Sequence, residues 1–181
     1  MPRYRIDPGS SRLWISARST VHPMSISADG IEGELSFALD GDGEADRLDL
    51  GIAPGGWMTL PVERLSAGHR LEDIELLRRI ESRRFPTIDG VLTSVDLSGE
   101  SDRYQVTGDV AFHGVTRSCK DEVTLQRLDD DTIRLAGRST FDMRDFGLEP
   151  PRWLFVRMEA EVEVRVEITA QAVAGPGGEE T

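Results

Sequence analysis

The sequence predicts an all-β protein, an eight-stranded antiparallel barrel with one short helix near residues 71–83. Three observations carry this expectation. From Leu154 to Thr169 the chain alternates without a break. Leu154, Val156, Met158, Ala160, Val162, Val164, Val166 and Ile168 share one face, and Phe155, Arg157, Glu159, Glu161, Glu163, Arg165, Glu167 and Thr169 share the other. A strand with one dry and one wet side is the antiparallel pattern. Shorter alternating segments recur along the chain between turns rich in Asp and Gly. A single segment switches to helical spacing.

Taken in order, the opening strand lies around residues 12–18, where Leu13, Ile15 and Ala17 share a face and Trp14 stands opposite. Ile31, Gly33, Leu35, Phe37 and Leu39 follow, with Glu32, Glu34, Ser36 and Ala38 on the other side. Leu48, Leu50 and Ile52 come after the turn Asp40-Gly41-Asp42-Gly43. The helix rests on Leu71, Ile74, Leu77 and Ile80, supported by Leu76. Its acids (Glu72, Asp73, Glu75) come early and its cations (Arg78, Arg79, Arg83, Arg84) late, which complements the helix dipole. Glu75 can pair with Arg79 one turn on. Pro86 ends the helix and holds Phe85 extended.

Further strands are read at Val91, Val95 and Leu97, then at Tyr104, Val106, Val110 and Phe112, which alternate with Gln105, Thr107, Asp109 and Ala111. Val123 and Leu125 lead to the acidic turn Asp129-Asp130-Asp131, and Ile133, Leu135 and Phe141 continue beyond it. The last stretch is long enough to bend or to break at a bulge. Closing such strands into a barrel removes exposed edges. Eight strands leave an interior that side chains fill or that holds one small ligand. A two-sheet sandwich satisfies the same alternation. The 181 residues amount to one domain, with residues 1–170 as the barrel and Gln171–Thr181 as a disordered tail.

The formal charge is −12, from 21 cations and 33 anions, and Lys120 is the only lysine. Such a surface repels phosphate backbones and anionic headgroups, which excludes nucleic acid as a partner. No apolar run is long enough for membrane insertion as a helix. Cys119 is the only cysteine, so there is neither an intrachain disulfide nor a cysteine-based zinc site. Met1–Pro8 contains no apolar run, so no secretory signal is read and a cytoplasmic location is expected.

Motifs for chemistry are sparse. A phosphate-binding loop needs a lysine in a glycine-rich setting, and Lys120 follows Cys119 instead. No dinucleotide fingerprint or nucleophile elbow is present. Asp40, Asp42, Glu44 and Asp46 have calcium-loop spacing, but Ala45 and Gly51 stand where such a loop wants Gly and Glu, so a solvated hairpin turn is expected. His22, His69 and His113 are scattered. No metal or cofactor is expected, and Cys119 reads as a small packing residue. The large apolar side chains carry the useful question, because as core they need no function and as cavity wall they form an apolar slot. The candidate wall residues are Trp14, Phe37, Leu50, Tyr104, Val106, Val110, Phe112, Phe141, Val156 and Met158.

Four phrases in order then point to a family. Tyr4-Arg5-Ile6-Asp7-Pro8 with Ser10-Ser11, Arg84-Phe85-Pro86-Thr87-Ile88, Tyr104–Val110 running into His113-Gly114-Val115-Thr116, and Asp145-Phe146-Gly147-Leu148 together resemble the YceI-like family of lipocalin-like, polyisoprenoid-binding proteins. The resemblance covers all but the tail. It implies a lipocalin-like barrel with a helix at its mouth and an elongated cavity for a polyisoprenoid, quinone-like or fatty acyl chain. It also implies a homodimer, since dimers are common in the family, and no catalytic residues. His113 falls in what the family uses as a tight turn. Around the helix the chain departs from the family pattern, with Asp73-Ile74, Arg79-Ile80 and Asp89-Gly90 at the diverging positions. Aligning the first strand to the family turns Trp14 inward.

The expected function is a non-catalytic binding or carrier protein for such a lipid. The alternatives are an enzyme acting on a lipophilic substrate through His113, Asp109 and Cys119, or a filled barrel serving as a stress or interaction accessory.

Overall fold

Alternating segments of this chain become strands, and the strands close into a ring. The computed structural model of the protein describes residues 1–40, 47–99, 102–153 and 156–173. In chain order the elements are β1 (Arg3–Ile6), β2 (Arg12–Ser19), β3 (Met24–Ala28), β4 (Glu32–Ser36), β5 (Leu39–Asp40), β6 (Arg47–Leu48) and β7 (Gly55–Pro61), then a 3₁₀ turn at Val62–Arg64 and α1 (Arg70–Arg79). They continue with β8 (Thr87–Leu97), β9 (Arg103–Phe112), β10 (Val115–Arg127), β11 (Thr132–Asp142), a second 3₁₀ turn at Met143–Phe146, β12 (Arg152–Trp153) and β13 (Val156–Val173). The ring runs β1-β4-β7-β8-β9-β10-β11-β13, and β13 pairs back onto β1. Every pairing in it is antiparallel. The architecture is therefore a closed eight-stranded barrel and not a sandwich.

β13 is long enough to serve two strands along one edge. Its end pairs with β1, from Ile6↔Ala170 to Arg3↔Val173, and its earlier part pairs with β2, from Arg12↔Glu167 to Ser19↔Met158. The chain leaves the edge between them, which would strand the backbone of Thr169. The Asp7–Ser11 turn prevents this. The Asp7 N–H donates to the Thr169 carbonyl at 2.9 Å, and the fully buried Ser11 hydroxyl accepts from the Thr169 N–H at 3.1 Å. The Asp7 carboxylate accepts from the Ser10 hydroxyl and the Gly9 N–H, which tightens the turn and holds its pKa below the usual carboxylate value. β3 pairs with β2 outside the ring.

The two ends of the barrel are closed differently. At one end Tyr4, Ile6, Leu35, Phe37, Tyr104, Leu125, Ile133, Ile168 and Ala170 form a dense core. Tyr4 and Phe37 stack at 4.8 Å, and the Tyr104 hydroxyl accepts from the Leu48 N–H at 2.9 Å, pinning the β5–β6 ribbon over this end. At the other end lie both 3₁₀ turns, α1 and the β9–β10 hairpin. That hairpin has two central residues, His113 (φ 51°) and Gly114 (φ 75°), the primed-turn geometry that matches strand twist.

The helix differs from its sequence expectation in two ways. It spans Arg70–Arg79, and residues 80–85 form turns, with Glu81 at φ 49°. Its inner face is also rotated. Leu76 and Leu77 pack on the core beside buried Ile80, whereas Leu71 is 80% exposed and Ile74 55%. The Glu75–Arg79 pair forms at 2.8 Å, with Arg78 as a further partner at 2.8 Å. The tail begins later than expected, because Gln171–Val173 continue β13 against β1. Ala174–Thr181, and with them the expected disorder, lie outside the described residues.

Candidate functional site

Inside the ring, period-2 alternation aims one row of side chains from each strand at a common space. β13 contributes Val162, Val164, Val166 and Ile168, and its Glu159, Glu161 and Glu163 point to solvent. β11 contributes Leu135 and Phe141, β9 contributes Val106, Val110 and Phe112, and β2 contributes Leu13 and Ile15. Between them lies a cavity of about 370 Å³. Four wall positions are glycines, Gly56, Gly90, Gly108 and Gly137, so no side chain projects where an eight-stranded barrel would otherwise fill itself. A Cβ at Gly56 would stand 2.7 Å from Leu35 Cδ2 and one at Gly108 2.9 Å from the Val91 carbonyl, and Gly33 is tighter still. A Cβ there would run into the Trp57 carbonyl and stand 2.9 Å from both Met58 Cα and Ile6 Cδ1, so only glycine lets β4 and β7 approach this closely.

An aromatic group closes the end away from the Tyr104 core. Phe146 is buried from the second 3₁₀ turn, with its ring 6.0 Å from Phe112 and 6.1 Å from Phe141. Asp142 caps that turn by accepting from the Arg144 N–H, and the Arg144 guanidinium holds its carboxyl down to about 2. His113 ties the turn to the exit of the helix. Its Nδ1 lies 3.0 Å from the Phe146 carbonyl and its Nε2 lies 3.0 Å from the Glu81 carboxylate, while its ring packs 4.6 Å from Phe85. The ring is thereby occupied as a structural clasp.

Six of the expected wall residues line the cavity, namely Phe37, Tyr104, Val106, Val110, Phe112 and Phe141. Three do not. Trp14 is on the outer face, directly opposite Arg165, whose guanidinium stands 4.3 Å from its ring centre. Plain alternation with Leu13 and Ile15 describes β2, and the inward turn implied by family alignment is wrong. Leu50 lies in the connection after β6, off the wall. Met158 keeps the parity of the inward row but pairs with Ser19 at the far end of β2, beyond a register shift between Met158 and Val162, and does not line the cavity. The side chain of Val156, like the acidic positions Asp42, Glu44 and Asp46, lies outside the described residues.

The residues of the enzyme alternative do not converge. Asp109 and Cys119 both border the cavity, but Asp109 is exposed, and His113 is held by Glu81 and Phe146. Burial raises the Cys119 thiol, and the carboxylates of Asp121, Asp109 and Asp145 push it further in the same direction. A protonated thiol is a poor nucleophile. Among the described residues no cluster of His, Cys, Asp and Glu could hold a metal. No helix among them is long and apolar enough to cross a membrane.

The arrangement agrees with what comparison finds. The family model for the YceI-like domain matches residues 4–170. The chain belongs to the YceI-like family. Among solved structures, this YceI-like barrel is similar to Burkholderia cenocepacia BcnA (TM-score 0.75, 15% identity, covering 91% of this chain and 98% of that one). It is also similar to a polyisoprenoid-binding domain from Saccharophagus degradans implicated in plant cell wall breakdown (TM-score 0.71, 14% identity, 94% and 98%). A Campylobacter jejuni YceI protein follows (TM-score 0.58, 11% identity, 77% and 82%). At these identities the likeness is one of fold. Comparison with curated protein sequences gives no match.

Several residues of the YceI-like cavity escape sequence reasoning. Met58 and Leu60 lie on β7, a strand of the ring that the sequence reading does not include. Phe146 is visible there only as part of a turn phrase. Asp121 sits in the inward row of β10 with Cys119, Val123 and Leu125. Extending the Val123–Leu125 alternation backwards by one step would have found it.

Proposed function

We propose that the protein is a non-catalytic binding or carrier protein that holds a long apolar molecule (a polyisoprenoid, quinone-like or fatty acyl chain) inside its barrel. One observation carries the reading, the apolar cavity of about 370 Å³ enclosed by a closed ring of strands. That volume falls within the ~300–1,000 Å³ common for small-molecule sites. The family adds support, since its Saccharophagus degradans relative is a polyisoprenoid-binding domain. Binding works by burial, each enclosed methylene contributing about 0.8 kcal/mol of transfer free energy. The wet faces of the strands carry the acidic charge, which keeps the loaded protein dissolved and off anionic bilayers. A cytoplasmic site of action and a homodimer belong to the same proposal, and fractionation and light scattering test them.

The direct test is gentle purification of the full chain followed by native mass spectrometry and lipid extraction. A one-to-one adduct that extracts into organic solvent is expected. Bare protein that also fails to bind prenyl and acyl probes would overturn the reading.

A further inference from the structure

Four charged residues are among those lining the cavity, Asp89, Asp109, Asp121 and Arg138. Asp89 is engaged by the Thr59 and Thr87 hydroxyls, and Asp109 and Arg138 are exposed, whereas Asp121 falls in the inward row of its strand with Cys119 and Val123. Asp121 stands on β10 opposite Val106 of β9, with Val123 two residues along the same row. The neighbouring strand β11 places Ser139 beside it, where the Ser139 hydroxyl favours the ionised carboxylate. Ser139 in turn pairs with Val164 of β13. No described cation compensates from inside. Lys120 alternates to the exposed face, and Arg138, the one cation among the lining residues, turns its exposed guanidinium to Glu163, 3.6 Å away on the outer face. A carboxylate offers about four acceptor positions, and a serine hydroxyl fills one. Desolvation raises the Asp121 carboxyl above the usual carboxylate value, against the opposing effect of Ser139. Such a group weakens an empty apolar wall, where a leucine would pack better.

We propose that Asp121, supported by Ser139, is a recognition station inside the barrel for an uncharged hydrogen-bond-donating group on the apolar ligand, and that it turns away chains with an anionic group at that depth. The chemical class is an alcohol, a quinol or a primary amide. A hydroxyl suits the station in either protonation state, because it donates to a carboxylate and accepts from a carboxylic acid. A carboxylate or phosphate at that depth meets a second negative charge in a low-dielectric wall, with no cation facing it. The station lies midway along β10, between the Phe112–Phe141 end and the Tyr104–Leu125 core, so the polar group would sit within the barrel and the tail beyond it.

The inference rests on the container reading above, and the test separates the two. The delipidated full chain is titrated at pH 8 with dodecan-1-ol and with dodecanoate, by competition against a fluorescent apolar probe. In the wild type the alcohol should bind at least about tenfold more tightly. In Asp121→Asn, which keeps the size of the side chain and removes its charge, the ratio should narrow by about tenfold, chiefly because dodecanoate gains. Asp121→Leu, with folding checked by thermal melting, provides a second variant and should weaken the alcohol while the ratio narrows again. An unchanged ratio in both variants, with probes still bound, overturns the station and leaves the container standing. Failure of every probe to bind the wild type overturns both.

Discussion

If apolar burial drives binding, affinity must rise steeply with chain length and then stop where the cavity is full. At roughly the 30 Å³ that a water-sized group occupies in a liquid, 370 Å³ accommodates on the order of 12 non-hydrogen atoms, so a longer polyisoprenoid or acyl chain would leave its remainder beyond the cavity. Each methylene taken from water contributes about 0.8 kcal/mol, or about fourfold in Kd. From a six-carbon to a twelve-carbon n-alkanol the affinity should therefore rise roughly 3,000-fold, with a break in slope near twelve carbons. The slope is the sturdier quantity, because the cost of immobilising a ligand, about 4–15 kcal/mol, is nearly common to the series. Val106→Trp projects a large ring into the cavity from β9 and should move the break to shorter chains while leaving the slope below it intact. Isothermal titration or probe displacement on the delipidated full chain gives both quantities. A slope below twofold per methylene, or a break that Val106→Trp leaves in place, would refute the reasoning.

Three further expectations concern the scaffold. Asp121 has a raised carboxyl pKa, so its ionisation is opposed in the folded state, and this penalty is relieved as pH falls through the folded pKa toward the unfolded carboxylate range near ~3.9. Asp121→Asn should accordingly melt higher than the wild type at pH 8, with the difference shrinking toward pH 4; a constant difference would contradict the assignment. Gly33→Ala forces a Cβ against the Trp57 carbonyl and should cost about 3 kcal/mol or more in denaturant unfolding. Gly99→Ala, at φ +76° with nothing within 4 Å, should cost only about 1–2 kcal/mol, and equal losses would contradict the close-approach argument. His113→Ala opens the clasp between Glu81 and Phe146 and should cost about 1–3 kcal/mol, read as a drop in Tm; an unaltered Tm would remove the clasp.

Much of the barrel is legible in the sequence where one face is wet. The row Val162, Val164, Val166, Ile168 against Glu159, Glu161, Glu163 declares both strand and direction, because charge and burial alternate together. The sequence is silent where parity changes. A bulge between Leu92 and Ser94 lets Ile88, Gly90 and Leu92 face inward before it and Val95 after it, and leaves Val91 exposed on the outside. A second shift, of two residues, keeps parity but leaves Met158 beyond the wall, at the far end of β2. Nothing local marks either shift, since both depend on the partner strand. The helix misleads for another reason. Its apolar positions cover more than one face, and the turn that begins at Ile80 decides which of them meets the barrel. Trp14 shows alternation outperforming family alignment. Asp121 is hidden from the sequence because a charged residue on a strand ordinarily belongs to the wet side, and only the register of β10 against β9 and β11 reveals it within.

The most direct measurement of the central claim is a crystal structure of the full chain purified without delipidation. The account predicts continuous elongated density between the Tyr104–Leu125 core and the Phe112–Phe141 end, with a polar atom within hydrogen-bonding distance of Asp121. A barrel whose interior is filled by repacked side chains, or holds only discrete waters, would contradict it.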